Sequence, residues 1–283
     1  MERQSLREQF KKDGYVVIKK VLTDEEIARY KNRMAELAAD KKANWTLPDG
    51  VNKEKDFWPI IFNERILAKV REIFGSDVKY LQHNDLHVGF SSFSWHRDSV
   101  NREFGIGPDW EEEDEPYELA RVGLYLQDAD SGFKLGLIKG THRPDEHLPK
   151  REMNRIHSRL KGLPNLWAAL TGRGLLHRKA DWVATEPGDA IIFDPRILHT
   201  GGKFKDVKYS FFIAYGLPNK HFFNHYNYYR HLRSDLQYQD YAPELKSQLQ
   251  EHGLYADEQH TVEEIEGAWL PSAAFTYVAK RFK

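Results

Sequence analysis

The 283-residue chain carries a formal net charge of −1 and no cysteine. Balanced charge excludes the polybasic field that holds nucleic acid or an anionic membrane, and the missing thiols exclude disulfides, thiolate metal sites and cysteine nucleophiles. Hydrophobic residues at 40% and aromatics at 13%, with no low-complexity tract, supply enough apolar surface for a sizeable core.

The opening MERQSLREQFKKDG is polar, unlike a signal peptide, and no apolar run is long enough to span a bilayer. The expected location is therefore the cytoplasm. A short strand is expected over Tyr15–Ile18. Thr23 and Glu26 then form a capping-box signature, and Ile27, Tyr30, Met34 and Leu37 give the following helix its apolar stripe. Asn63 and Gly75 bracket a second helix over Glu64–Phe74. A third is expected from Pro243 to about His252, stopped by Gly253.

The middle of the chain has a different texture. Lys79–Val88, Arg121–Gln127, Lys134–Ile138, Trp182–Thr185, Ala190–Phe193 and Lys208–Tyr215 all read as strands. Turn signals separate several of them, at Asp130-Ser131-Gly132, Glu186-Pro187-Gly188-Asp189 and Gly201-Gly202. Successive strands with helices grouped at both ends imply a mainly β fold, an antiparallel barrel or sandwich buttressed by helices. A single domain over 1–283 is expected, with a helical part to about 76, a β core over about 77–217 and a helical tail beyond. Two insertions interrupt the strands. The acidic one, Pro108–Glu118, reads as solvated surface; the longer one, about Arg143–Asp181, reads as partly helical and is a candidate lid.

Two short segments carry chemistry. Trp95-His96-Arg97-Asp98 places a histidine and a carboxylate two apart, so that on a strand both point to one side, and Leu198-His199-Thr200-Gly201 supplies a distant second imidazole. Two neutral imidazoles and one carboxylate on one face of a metal leave the opposite positions open, a ligand set suited to non-haem Fe(II). The competing reading, a histidine beside an ordinary surface aspartate, is the commoner one for so short a pattern. His96-Arg97-Asp98 also matches the kinase catalytic loop, but no Asp-Phe-Gly follows it and no Gly-rich phosphate loop precedes it.

The order of elements settles the choice. DGYVVIKKVLTDEEI, LYLQDADSGFKLGLIKGTHRP and the turn-plus-strand PGDAIIF that leads to His199 together resemble the phytanoyl-CoA dioxygenase-like branch of the Fe(II)/2-oxoglutarate oxygenases, over roughly residues 8–217. That resemblance implies a double-stranded β-helix (jelly-roll, cupin-like) core. It implies His96, Asp98 and His199 as iron ligands, with 2-oxoglutarate taking two open positions and O2 one. It also asks for a buried cation on the strand after the second histidine, where the family usually has arginine. Here that strand offers Lys208, nine residues after His199, with Ser210 on the same side; Lys203, Lys205, Arg121 and Arg143 stay open as alternatives. Lysine keeps the charge but loses the bidentate fork. Family analogy adds Gln82 and Tyr125 as co-substrate contacts.

Because Asp98 is present, hydroxylation or another oxidation is implied rather than halogenation. His83 and His87, four apart, share a strand face that borders the site. Trp95 reads as a wall aromatic. The implied reaction hydroxylates an unactivated C–H of a small metabolite, with release of succinate and CO2. The loops over Asn101–Glu118 and Arg143–Asp181 are expected to enclose the substrate, and the basic Arg143, Lys150, Arg151 and Arg155 could meet an anionic one. Two other classes stay open: a cupin-like metal enzyme that does not use 2-oxoglutarate, and a non-catalytic jelly-roll binding module.

Overall fold

The computed structural model describes residues 5–41, 44–92, 95–144, 180–257 and 265–270. In chain order the elements begin with α1 (Leu6–Asp13), β1 (Tyr15–Ile18), α2 (Asp24–Ala38), β2 (Trp45–Pro48), α3 (Gly50–Lys53), α4 (Trp58–Ile61) and α5 (Glu64–Phe74). The strands β3 (Lys79–Val88), β4 (Leu119–Tyr125), β5 (Lys134–Ile138), β6 (Asp181–Ala184), β7 (Ala190–Phe193), β8 (Leu198–Gly201) and β9 (Tyr209–Gly216) follow. Helices α6 (Lys220–Asn227) and α7 (Pro243–Glu251) come last, with a π-helical turn over Tyr228–Leu232 between them. Among the described residues no helix is long and apolar enough to cross a membrane.

The strands form two antiparallel sheets. One has six strands in the order β1-β7-β4-β9-β3-β2, the other three in the order β6-β5-β8. Alternation along the central strands explains why the larger sheet is covered on both faces. Val122 and Leu124 of β4, Ile192 of β7 and Phe211, Ile213 and Tyr215 of β9 point to a helical layer containing Tyr30, Met34, Ile66 and Val70. The residues between them, Tyr125, Ile191, Phe193 and Phe212, point inward with Phe133, Leu135 and Leu137 of the smaller-sheet side. The result is a mainly β antiparallel core of jelly-roll type with flanking helices.

Local signals set the ends of the elements. Thr23 and Glu26 make both hydrogen bonds of a capping box at α2, and Asn63 Oδ1 accepts from Arg65 N and Ile66 N at α5. Gly188, at φ +83°, forms the turn before β7; its carbonyl accepts from Val21 N and Leu22 N, tying that turn to the start of α2.

Three expectations need correction or fall outside the described residues. The acidic stretch is only partly solvated: Glu112 pairs with buried Arg196, Glu118 pairs with Arg7, and Glu115 accepts from Lys220 N. The tail does more than pack, since its residues Tyr229, Arg233, Leu236 and Tyr238 line the central cavity. The expected lid, with Lys150, Arg151 and Arg155, lies almost wholly outside the described residues, which resume at Ala180.

Candidate active site

His96 and His199 are cross-strand partners. The amide of each donates to the carbonyl of the other at 3.0 Å, an isolated antiparallel bridge at the end of the smaller sheet. That pairing brings the two rings to 4.2 Å between centroids. Asp98, two residues on, is fixed by its own amide, which donates to Pro195 O at 2.8 Å. Its Oδ1 lies 3.6 Å from His96 Nε2 and its Oδ2 3.6 Å from His199 Nε2. One donor atom from each residue lies within 4.8 Å of the other two, the single such cluster among the described residues. His199 Nδ1 sits 3.0 Å from Ile197 O, so that nitrogen carries the proton and Nε2 presents its lone pair to the cavity.

Electrostatics keep Asp98 and His199 in their ligating forms. Burial alone would raise the Asp98 carboxyl, but Arg121, and after it His199 and His96, outweigh burial and hold it well below the usual carboxylate range. Burial lowers His199 despite the attraction of Asp98, favouring the neutral imidazole. Arg121 is the organiser: its Nη1 donates to Asp98 Oδ2 and its Nη2 to Asp85 Oδ1, both at 2.6 Å. Asp85 Oδ2 in turn contacts His87 Nε2 at 2.7 Å. Arginine fits because its two terminal nitrogens serve two carboxylates at once.

The triad opens on a cavity of about 340 Å³. Lys208 is 3% exposed, and its Nζ donates to Phe90 O and Ser210 Oγ, both at 2.9 Å. Its ammonium lies 4.7 Å from the Phe133 ring centroid and 5.6 Å from that of Tyr125. Burial lowers its pKa from 10.5 to about 7. The Tyr125 hydroxyl is buried with no hydrogen-bond partner. A buried ammonium and an orphaned hydroxyl lining one cavity can receive a carboxylate. Lys203 and Lys205 are exposed, as solvated lysines.

Gln82 does not belong here. Its Nε2 donates to both oxygens of Asp49 and to Gln239 O, in a buried network on the helical side of β3. Leu86 faces that same side, while His83, Asp85 and His87 face the cavity. Period two therefore excludes Gln82 from any site that His83 and His87 border. Trp95 packs with Ile138 and Leu198, as a wall residue should.

Sequence reasoning gave Arg121 only as an alternative cation for the co-substrate, although a charge inside the apolar run of β4 is itself a signal of a buried partner. It missed a stack at the other side of the His-Asp-His cluster. His83 lies 3.6 Å from the Tyr229 ring and 2.8 Å (Nδ1) from His225 Nε2, and the Tyr229 hydroxyl donates to Asp98 O at 3.1 Å. It also missed Arg102, which lines the cavity. Arg143 lines a separate cavity beside α1.

A sequence profile of the family described as phytanoyl-CoA dioxygenase (PhyH) matches residues 10–205. The chain belongs to that family. As a PhyH-family member it is a non-haem iron, 2-oxoglutarate-dependent oxygenase. No curated protein matches it in a sequence search. Several solved structures share the fold at low identity. The non-heme alpha ketoglutarate dependent epimerase SnoN from nogalamycin biosynthesis is 16% identical, with a TM-score of 0.53, covering 75% of this chain and 79% of its own. HygX from Streptomyces hygroscopicus, solved with nickel and 2-oxoglutarate, is 14% identical with a TM-score of 0.54, over 74% and 84% of the two chains. The non-heme monooxygenase ThoJ is 20% identical with a TM-score of 0.52, over 76% and 78%. The residues of this PhyH-family chain fit the metal and its co-substrate. Two imidazole nitrogens and an ionised carboxylate converge, and the buried Lys208 lines the same cavity.

Proposed function

We propose that His96, Asp98 and His199 hold Fe(II), that Lys208 and Ser210, with Tyr125, receive the distal carboxylate of 2-oxoglutarate, and that the protein hydroxylates an unactivated C–H bond of a small molecule. The observation that carries this reading is the opening of the His-Asp-His cluster and the buried Lys208–Ser210 pair on one cavity. Bound there, iron with 2-oxoglutarate and O2 supplies the oxidation: the 2-oxoacid loses CO2 and becomes succinate while one oxygen atom enters the substrate.

The chain's own residues do the rest. Arg121 keeps Asp98 ionised and fixes its orientation, and Asp85 fixes Arg121. The Ile197 carbonyl sets the tautomer of His199. The inward aromatics Tyr125, Phe133, Phe193 and Phe212 exclude water from the co-substrate end. Among proteins of this fold, HygX has been solved with hygromycin B and SnoN with nogalamycin RO, which supports a small-molecule substrate.

Turnover under 18O2 tests the reaction type. The expected product is heavier than its substrate by one labelled oxygen, with one succinate released per product. A product of unchanged mass would assign epimerisation instead, and one lighter by two hydrogens desaturation.

A further inference from the structure

Arg102 stands apart from the other charged groups on the cavity wall. Arg121 is matched by Asp98 and Asp85, and Arg233 is held by both oxygens of Asp235 at 2.8 and 3.0 Å. Arg102 has no carboxylate partner among the described residues, and its Nε is buried without a hydrogen-bond acceptor. Its guanidinium lies 3.8 Å from the ring centroid of Trp269. That stack is built, not incidental. Trp269 N donates to Val100 O at 2.9 Å, and the Tyr228 hydroxyl donates to Trp269 O. The loop that carries Arg102 is pinned as well: buried Arg97 donates to Arg102 O at 3.0 Å, and Asn101 and Asp109 exchange hydrogen bonds at 3.0 Å. A guanidinium held over an indole face by cation–π attraction can still offer N–H donors to a ligand, and its fork matches a carboxylate or a phosphate.

Counting charge around the cavity points the same way, and this step rests on the function proposed above. With the histidines taken as neutral, the metal dication, Asp98, a 2-oxoglutarate dianion and a protonated Lys208 cancel. Arg121 is cancelled by Asp85 and Arg233 by Asp235. Among the described residues that line the cavity, one positive charge remains, on Arg102. We infer that the substrate carries a single oxyanionic group, a carboxylate or a phosphate, which Arg102 grips while the body of the molecule lies against Tyr229, Leu236 and Tyr238. Arg102 is thus a specificity-determining residue, distinct from the co-substrate receptor at Lys208.

Calorimetry on the full chain loaded with Ni(II) and 2-oxoglutarate tests this, with benzoate, phenyl phosphate and uncharged benzamide as probes. One or both anions should bind, and benzamide at least tenfold more weakly. Arg102→Gln should weaken the anion at least tenfold, and Arg102→Lys should retain part of the affinity. Equal binding of benzamide and benzoate, full anion affinity in Arg102→Gln, or no anion binding in the millimolar range overturns the inference. If Arg102→Gln instead weakens 2-oxoglutarate, Arg102 belongs to the co-substrate and the inference also falls. A prior titration with 2-oxoglutarate alone reports separately on the co-substrate reading.

Discussion

The ammonium of Lys208 lies among aromatic rings, with a carbonyl, a hydroxyl and the field of Asp85 to support its charge. Its pKa of about 7 makes co-substrate binding pH-dependent with a definite sign. Below pH 7 the ammonium is already charged, and a carboxylate binds without proton uptake. Above it, each bound 2-oxoglutarate must bring a proton to the amine, so the apparent KM for 2-oxoglutarate should rise up to tenfold per pH unit. The same depression means that the unfolded chain binds more protons between about pH 7 and 10.5, so this residue's share of stability increases with pH across that window. Lys208→Met should abolish the pH dependence and raise the KM for 2-oxoglutarate by tenfold or more while leaving iron stoichiometry unchanged. Steady-state assays across pH 6 to 9 read both effects; a wild-type KM in the variant removes Lys208 from the site. The His-Asp-His cluster was legible in the sequence through the two-residue spacing of His96 and Asp98, although His96 makes only an isolated bridge and Asp98 lies outside the strands. Gln82 was misplaced because family analogy overrode the period-two alternation of β3. Arg102 left no signal, since its meaning comes from Trp269, far along the chain.

Among elements, the long patterned ones were read closely: α5 spans the expected Glu64–Phe74, and β3, β5 and β7 match their expected limits. What escaped was short or polar. α1 begins with a Ser5–Glu8 capping box inside a stretch that reads as merely charged, β8 has only four residues, and β2 is an edge strand ending in Pro48. The turn before β7 was legible, and its glycine is required. A Cβ at Gly188 would sit 2.9 Å from Ile27 Cδ1 and 3.0 Å from Leu22 O, on a backbone at φ +83°. Gly188→Ala should cost about 1–2 kcal/mol from the left-handed backbone alone, with the contact adding to it. Urea unfolding should show the lower midpoint with an unchanged slope, and iron stoichiometry should hold because the turn faces α2 rather than the cavity. An unaltered midpoint would mean that neither the left-handed backbone nor the contact with the α2 start constrains this position.

At the scale of the molecule, the jelly roll is what makes three unremarkable residues into a site. His96 and His199 meet because the segment that carries His96 bridges to β8, and the tail then lines the cavity with Tyr229, Arg233 and Tyr238. Composition could exclude thiol chemistry, but not show which face the tail would cover. The most direct test of the metal and co-substrate assignment is an anaerobic titration of the Fe(II)-loaded chain with 2-oxoglutarate, followed in the visible range. A weak charge-transfer band should grow and saturate at one equivalent, and His199→Ala should not produce it. Folded, iron-loaded wild-type protein that stays colourless at saturating 2-oxoglutarate would contradict the assignment.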